Sequence, residues 1–331
     1  MIISRTPFRI SFFGGGTDYP EWYQQHGGAV LATTIDKYCY ISVRELPPFF
    51  DHRFRVVYSI VENVKNIGEI QHPAVRGVLQ SMKVDRGLEI HHDGDLPARS
   101  GLGSSSAFTV GLVNAVHALD GRHVSKDKLA DEAIHIEQCV LRERVGLQDQ
   151  VSAAFGGFNH IAIAQNGTYT VTPMVLPPAR IQALQSHLML VFTGVARTAN
   201  EIAETIVQNL KSKAADMTTM QQMVEHAIGI VSSARTDLVE FGELLREAWQ
   251  LKRTLSSRVT NTMVDQLLEA ATRAGAIGGK LLGAGGGGFM LLFVRPEDQP
   301  RVRTALSHLI TVPVKFEMSG CRIVLYQPNG L

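Results

Sequence analysis

The segment Pro97-Ala98-Arg99-Ser100-Gly101-Leu102-Gly103-Ser104-Ser105-Ser106-Ala107 constrains this chain more than any other. Before it, Leu88-Glu89-Ile90-His91-His92 alternates with the period of a strand. After it, Phe108, Leu112, Ala115, Val116 and Leu119 fall at helical spacing, and Asp120-Gly121 closes the run. The segment is therefore a Gly- and Ser-rich passage from a strand into a helix. Gly101 and Gly103 can adopt positive φ and let a ligand approach the main chain. The serines lie where the first N–H groups of the new helix point outward without intrahelical partners. Such a place attracts an anion, phosphate above all. The residues alone also allow a simpler reading, a turn with a good N-cap. The common phosphate-loop signatures are missing. There is no Gly-x-x-x-x-Gly-Lys-Ser/Thr here, and Ser106 takes the third Gly position of Gly-x-Gly-x-x-Gly.

At 331 residues the chain is long enough for about two domains, and 45% apolar residues suffice for sizeable cores. Lys and Arg number 32 against 31 Asp and Glu, with no long basic run, so no general nucleic-acid footprint is expected. The apolar runs are too short for a membrane span, and Arg5 and Arg9 interrupt any leader-like start. Three widely spaced cysteines, Cys39, Cys139 and Cys321, fit a reduced, cytoplasmic protein.

Other features carry chemistry. Arg9-Ile10-Ser11-Phe12-Phe13 reads as a strand, broken by Gly14-Gly15-Gly16, with Thr17 and Asp18 offering polar groups at the gap. Leu129, Ala133, Ile136 and Val140 form a helical stripe after Ser125, a fair N-cap. Glu137 sits beside that stripe, where a carboxylate is costly unless it reaches water, a partner or a cation. Asp149 follows twelve residues later, past a Gly-containing break. Pro177-Pro178 is the best linker, dividing the chain into expected domains 1–176 and 177–331. Beyond it, Thr193-Gly194-Val195-Ala196-Arg197-Thr198 follows an apolar strand and opens a helix. Thr198 can cap that helix and Arg197 offers a fork of donors suited to phosphate. Finally, the run Gly283-Ala284-Gly285-Gly286-Gly287-Gly288 lies between two apolar strands, as a hairpin or as a ligand floor.

Pro-x-x-x-Gly-Leu-Gly-Ser-Ser-Ser-Ala resembles the ATP-phosphate loop of the GHMP kinase superfamily, which includes galactokinase, homoserine kinase and mevalonate kinase. Residues 9–20 are similar to its first motif and 279–288 to its third, so the likeness spans most of the chain. It implies an α+β, two-domain fold: an N-terminal ribosomal-S5-domain-2-like domain, a C-terminal ferredoxin-like domain and an active-site cleft between them. It implies ATP and Mg²⁺ as cofactors. Arg99, Gly101, Leu102, Gly103, Ser104, Ser105 and Ser106 would bind the nucleotide. Ser105 and Glu137 would hold the metal, with Ser104 the alternative serine. Asp149 would be the base, assisted by Arg9. Gly15, Gly16, Thr17, Asp18, Gly285 and Gly286 would contact the acceptor, with Arg197 and Thr198 on its phosphate.

Sugar kinases of the superfamily usually carry Gly-Glu-His-Thr-Asp-Tyr in the first motif. Here Gly15 and Gly16 replace the Glu-His pair, which implies a sugar other than galactose. Residues 9–20 and 192–199 resemble those of the superfamily's heptose-phosphate kinases, and this resemblance implies phosphorylation of the anomeric O1 of D-glycero-D-manno-heptose 7-phosphate, giving a 1,7-bisphosphate for nucleotide-activated heptose and surface polysaccharide. The alternatives are a fucokinase- or galactokinase-type 1-kinase and a catalytically silent sugar sensor. The partners expected are a small-molecule sugar phosphate and, for assembly, a homodimer, with no nucleic acid and no membrane.

Overall fold

The computed structural model describes residues 1–194 and 199–328; Arg197 and Thr198 lie outside the described residues. In chain order the first half comprises β1 (Ile2–Phe13), α1 (Pro20–His26), β2 (Gly28–Glu45), β3 (Phe54–Val57), β4 (Val61–Val64), α2 (Pro73–Ser81) and β5 (Leu88–Gly94). It continues with α3 (Ser104–Leu119), α4 (Lys126–His135), α5 (Gln148–Phe155), β6 (Phe158–Ile163) and β7 (Tyr169–Pro173). The second half begins with α6 (Pro178–Ser186), β8 (Leu188–Phe192), α7 (Ala199–Asn209), α8 (Ala214–Ser232), α9 (Val239–Thr254) and α10 (Thr262–Arg273). It ends with β9 (Ala276–Leu281), β10 (Phe289–Val294), α11 (Gln299–Ala305), β11 (Ile310–Val312), β12 (Phe316–Glu317) and β13 (Arg322–Tyr326).

The first sheet runs β13-β1-β2-β5-β3-β4, with β12, β6 and β7 attached along the other end of β2. β2 is a single strand of 18 residues where the sequence suggests two shorter ones. Its Cys39–Glu45 half pairs β5 and its Gly28–Thr33 half pairs β6, so one strand carries two neighbours on the same side. Every residue of β1 from Thr6 to Phe13 is buried, because helices of both halves of the chain cover it. α3 is enclosed by the first sheet on one side and by α2, α4 and α5 on the others. Of residues 106–119 all but Asn114 are buried, as expected of a helix apolar on every side.

The second sheet is antiparallel, in the order β11-β8-β10-β9. β10, at its centre, is apolar and wholly buried. This is the two-domain α+β arrangement that the motifs imply. One expectation needs correction. After β11 the chain leaves the second sheet: β12 pairs β2 through Phe316 and Ile35, and β13 pairs β1 through Tyr326 and Ile2. The segment 177–331 therefore gives its last two strands to the first sheet. β13 covers an edge of β1 that would otherwise stand open to another chain, and pairing across more than 300 residues leaves no local signal.

Candidate active site

Three backbone segments meet where the two sheets approach. The first is the loop 97–103. Gly101 (φ 83°) and Gly103 (φ 72°) occupy the left-handed region, and Gly103 is the N-cap of α3. Arg99 is also left-handed, at φ 58°. The second is the Gly-rich run after β9. A Cβ on Gly101 would stand 2.4 Å from Leu282 O, and one on Gly288 would stand 2.3 Å from Ser100 O. Phe289 N–H donates to Ser100 O at 3.0 Å. The two loops thus pack main chain on main chain, and side chains at these glycines would drive them apart. Gly285 and Gly286, expected at the acceptor, are used differently. Gly286 N–H donates to Val259 O at 2.9 Å, its carbonyl accepts from Asn261 Nδ2 at 3.1 Å, and a Cβ on Gly285 would meet Val259 O at 2.5 Å. The run touches the first loop through Gly283 and Gly288 instead.

The third segment is β1. Arg9 is buried, and its Nε and Nη2 donate to Oδ1 and Oδ2 of Asp149, each at 2.7 Å. Its Nη1 donates to Gly101 O at 2.6 Å, and its own N–H donates to Leu102 O at 3.0 Å. One arginine therefore fixes the Asp149 carboxylate in a two-pronged grip and ties it to the loop. Asp149 lies in the first turn of α5, with a quarter of its side chain exposed. A Cβ on Gly103 would stand 3.3 Å from Asp149 Oδ2, so the carboxylate faces the start of α3.

Glu137 approaches α3 from another direction. The helical stripe read through Val140 changes character after His135, and Ile136–Val140 form a π-helical turn. Such turns displace a side chain from its helical row. Glu137 is 1% exposed, and its Oε2 accepts from Ser106 Oγ at 2.9 Å and from Gln150 Nε2 at 2.5 Å. Oε1 has no partner. Burial pushes the carboxyl up to about 7, against the hydrogen bonds from Ser106 and Gln150 that favour the anion. Of the three serines, Ser106 meets Glu137. Ser105 is exposed, and Ser104 Oγ accepts from Arg99 N–H at 3.1 Å.

The expected acceptor residues divide. Thr17 is fully buried. Its Oγ1 lies 2.8 Å from Gly14 O and 2.9 Å from Ala29 O and accepts from Ala29 N–H at 3.1 Å, so the hydroxyl is committed to holding the turn against β2. Thr17→Val should therefore cost stability, about 1–3 kcal/mol for the stranded main-chain groups. Activity of the folded variant should stay within about twofold, as checked by denaturant melts beside steady-state kinetics. Asp18 is 1% exposed and accepts from Gly16 N–H (2.9 Å), Gln148 Nε2 (3.2 Å) and Gln148 N–H (3.3 Å). Burial pushes its carboxyl up, and the Asp149 charge adds to the shift against the Gly16 hydrogen bond. It joins the Gly14–Gly16 turn to the start of α5. Gly15 is part-exposed, with room for a side chain bounded by Ser11 Oγ at 3.4 Å and Gln148 Nε2 at 3.6 Å.

Several site residues were not visible as such in the sequence. Gln150 holds Glu137, and Ser11 Oγ lies buried without a partner beside Gly15. Lys280 Nζ is buried on the carbonyls of Ser11 (3.1 Å) and Phe12 (2.8 Å), joining β9 to β1. Lys252 is buried at the end of α9 and donates to the carbonyls of Gly283 and Leu281. The signal for Lys252 was its spacing: it continues the apolar face of Leu245, Ala248 and Trp249, where a lysine must meet something polar.

The family model for the GHMP kinases N terminal domain matches residues 64–157, and that for the GHMP kinases C terminal matches residues 230–310. A D-glycero-alpha-D-manno-heptose 7-phosphate kinase of Campylobacter jejuni is 30% identical over 318 residues, covering 92% of this chain and 93% of the relative. Among solved structures, a D-glycero-D-manno-heptose 1-phosphate kinase from Bacteroides thetaiotaomicron shares the fold at TM-score 0.80 and 24% identity, covering 97% of this chain and 98% of the other. Lactococcus lactis galactokinase, solved with galactose, shares it at TM-score 0.74 and 20% identity, over 97% and 94%. The two matched domains are those whose glycine loops interlock at Gly101 and Gly283, and on sequence, domain order and fold together the chain belongs to the GHMP kinases, a family of phosphotransferases.

Proposed function

We propose that this kinase uses ATP to phosphorylate the anomeric O1 of a sugar phosphate, with D-glycero-D-manno-heptose 7-phosphate as the acceptor and the 1,7-bisphosphate as product. The observation that carries the reading is the Arg9–Asp149 pair, fixed at 2.7 Å on both prongs and tied to the loop at Gly101. Phosphoryl transfer asks the protein mainly for positioning and charge stabilisation, and this arrangement supplies both at one point. Similarity along nearly the whole chain to the Campylobacter jejuni heptose 7-phosphate kinase supports the acceptor.

In this reading Asp149 receives the proton of the acceptor hydroxyl. Arg9 orients it and offers positive charge to the phosphoryl group in transit. The N–H groups from Gly101 to Ser106 and the start of α3 receive the ATP phosphates, with Arg99 alongside. The free Oε1 of buried Glu137 is a fit for a hard cation that prefers oxygen, and among the described residues no group of three or more His, Cys, Asp or Glu offers another metal site. Glu137 and exposed Ser105 would hold Mg²⁺, while Ser106 and Gln150 orient the Glu137 carboxylate. Bound there, the ion would neutralise phosphate charge.

Gly15 leaves space for the acceptor next to Gln148, whereas Gly16 is buried against Met217. Gly15 has no left-handed φ, so Gly15→Glu is compatible with the backbone and places a carboxylate in that space. Sugar-phosphate KM should rise about tenfold or more through like-charge repulsion, with ATP KM little changed. The reading itself is tested by following ADP release against a panel of sugars and sugar phosphates. Heptose 7-phosphate should give the highest kcat/KM. Preference for unphosphorylated galactose or fucose would favour the other 1-kinase reading, and silence with every sugar would remove the kinase assignment of the acceptor.

A further inference from the structure

We propose that Lys252 is a second site cation, which holds the Gly283 turn against the phosphate loop and places positive charge beside Arg9 for the phosphoryl group in transit. This rests on the kinase reading above and adds a residue to it.

The placement begins with α9. Phe241, Leu244, Leu245, Ala248 and Trp249 form the buried face of α9, a helix that packs against β9, and Lys252 continues that face. Its ammonium has three hydrogens to donate. Two carbonyls receive it, Gly283 O and Leu281 O at 3.3 Å. Gly283 is the residue that abuts the phosphate loop, since a Cβ there would stand 2.5 Å from Gly101 Cα. Across that contact Arg9 Nη1 holds Gly101 O. The two cations are thus tied to opposite sides of one loop-on-loop contact, and the third hydrogen of Lys252 is left for another acceptor.

Charge supports the same conclusion. Arg9, Lys252 and Lys280 are all buried. The carboxylates in their field are Asp18 and Asp149, and Asp149 is already gripped by Arg9. Carbonyls alone balance a buried ammonium poorly. An incoming phosphoryl group brings negative charge spread over its oxygens. Burial pushes Lys252 down to about 8, and Arg9 adds to that shift while Asp18 opposes it. The free enzyme therefore carries this charge below pH 8 and loses it as pH rises through about 8. A bound anion holds the proton on, which moves the loss to higher pH in the substrate complex.

The test compares Lys252→Met and Lys252→Arg with the wild type, using ADP release with the best acceptor found. Lys252→Met should lose roughly 10²-fold in kcat with both KM values within about threefold. Lys252→Arg should recover most of that loss. Wild-type kcat/KM should fall as pH rises through about 8, with the kcat limb displaced upward, and the limb should be absent in Lys252→Arg. Nucleotide affinity and melting temperature show whether the loops remain seated. Lys252→Met within threefold of wild type would overturn the proposal. So would equal losses in both variants with an unmoved alkaline limb, which assigns Lys252 to loop packing alone. A wild type that turns over ATP with none of the sugars removes the acceptor reading and this role with it.

Discussion

Asp149→Asn should leave a folded protein that binds ATP and transfers almost no phosphate. Removing a general base typically costs ~10²–10⁴-fold in turnover. Arg9 makes the substitution informative. The amide still presents an oxygen to one arginine prong, so its position is nearly kept while its ability to take a proton is lost. The other prong then faces an NH₂ group, which loosens the pair and with it the hold on Gly101 O. A kcat loss of that size, with ATP affinity within about threefold and a wild-type melting temperature, is the expected result. Turnover within tenfold of wild type would show that the proton leaves by another route.

Glu137→Gln should separate metal binding from folding. The glutamine carbonyl can accept from Ser106 and Gln150 as Oε2 does, and only the charge and the free oxygen are lost. Burial opposes a charge here, so without a cation the variant should be at least as stable as the wild type. With Mg²⁺ and ADP present the order should reverse. The wild type gains melting temperature by mass action and the variant gains little. Mg²⁺ affinity should fall by more than the ~10–100-fold typical of an outer-shell change, and activity with it. Ser105→Ala should act in the same direction and less strongly, because it removes no charge. If Ser104→Ala proves damaging and Ser105→Ala silent, the metal-binding serine is one position earlier.

The local features of the sequence were enough to single out the segments that the fold brings together. The Gly-Ser passage does lead from a strand into a helix at Ser104, whereas Glu137 lies in a π-helical turn just past the end of α4, and Asp149, marked in the sequence only by its spacing, lies in the first turn of α5. What tertiary structure decided was which of several equivalent residues face one another. Three consecutive serines look alike in sequence, but 100° of helix rotation per residue puts only Ser106 on Glu137. The run 283–288 offers glycines at almost every position. The opposing loop selects Gly283 and Gly288, and Val259 takes Gly285 and Gly286. Thr17 and Asp18 look like ligand groups until β2 and Gln148 arrive to occupy them. The return of β13 to β1 and the approach of Lys252 to Gly283 depend on contacts between distant segments. Periodicity fixes which way a side chain points along its own element. Only packing fixes what stands opposite, and here that decides which serine meets Glu137, which glycines abut the loop at Gly101 and which cation meets Gly283.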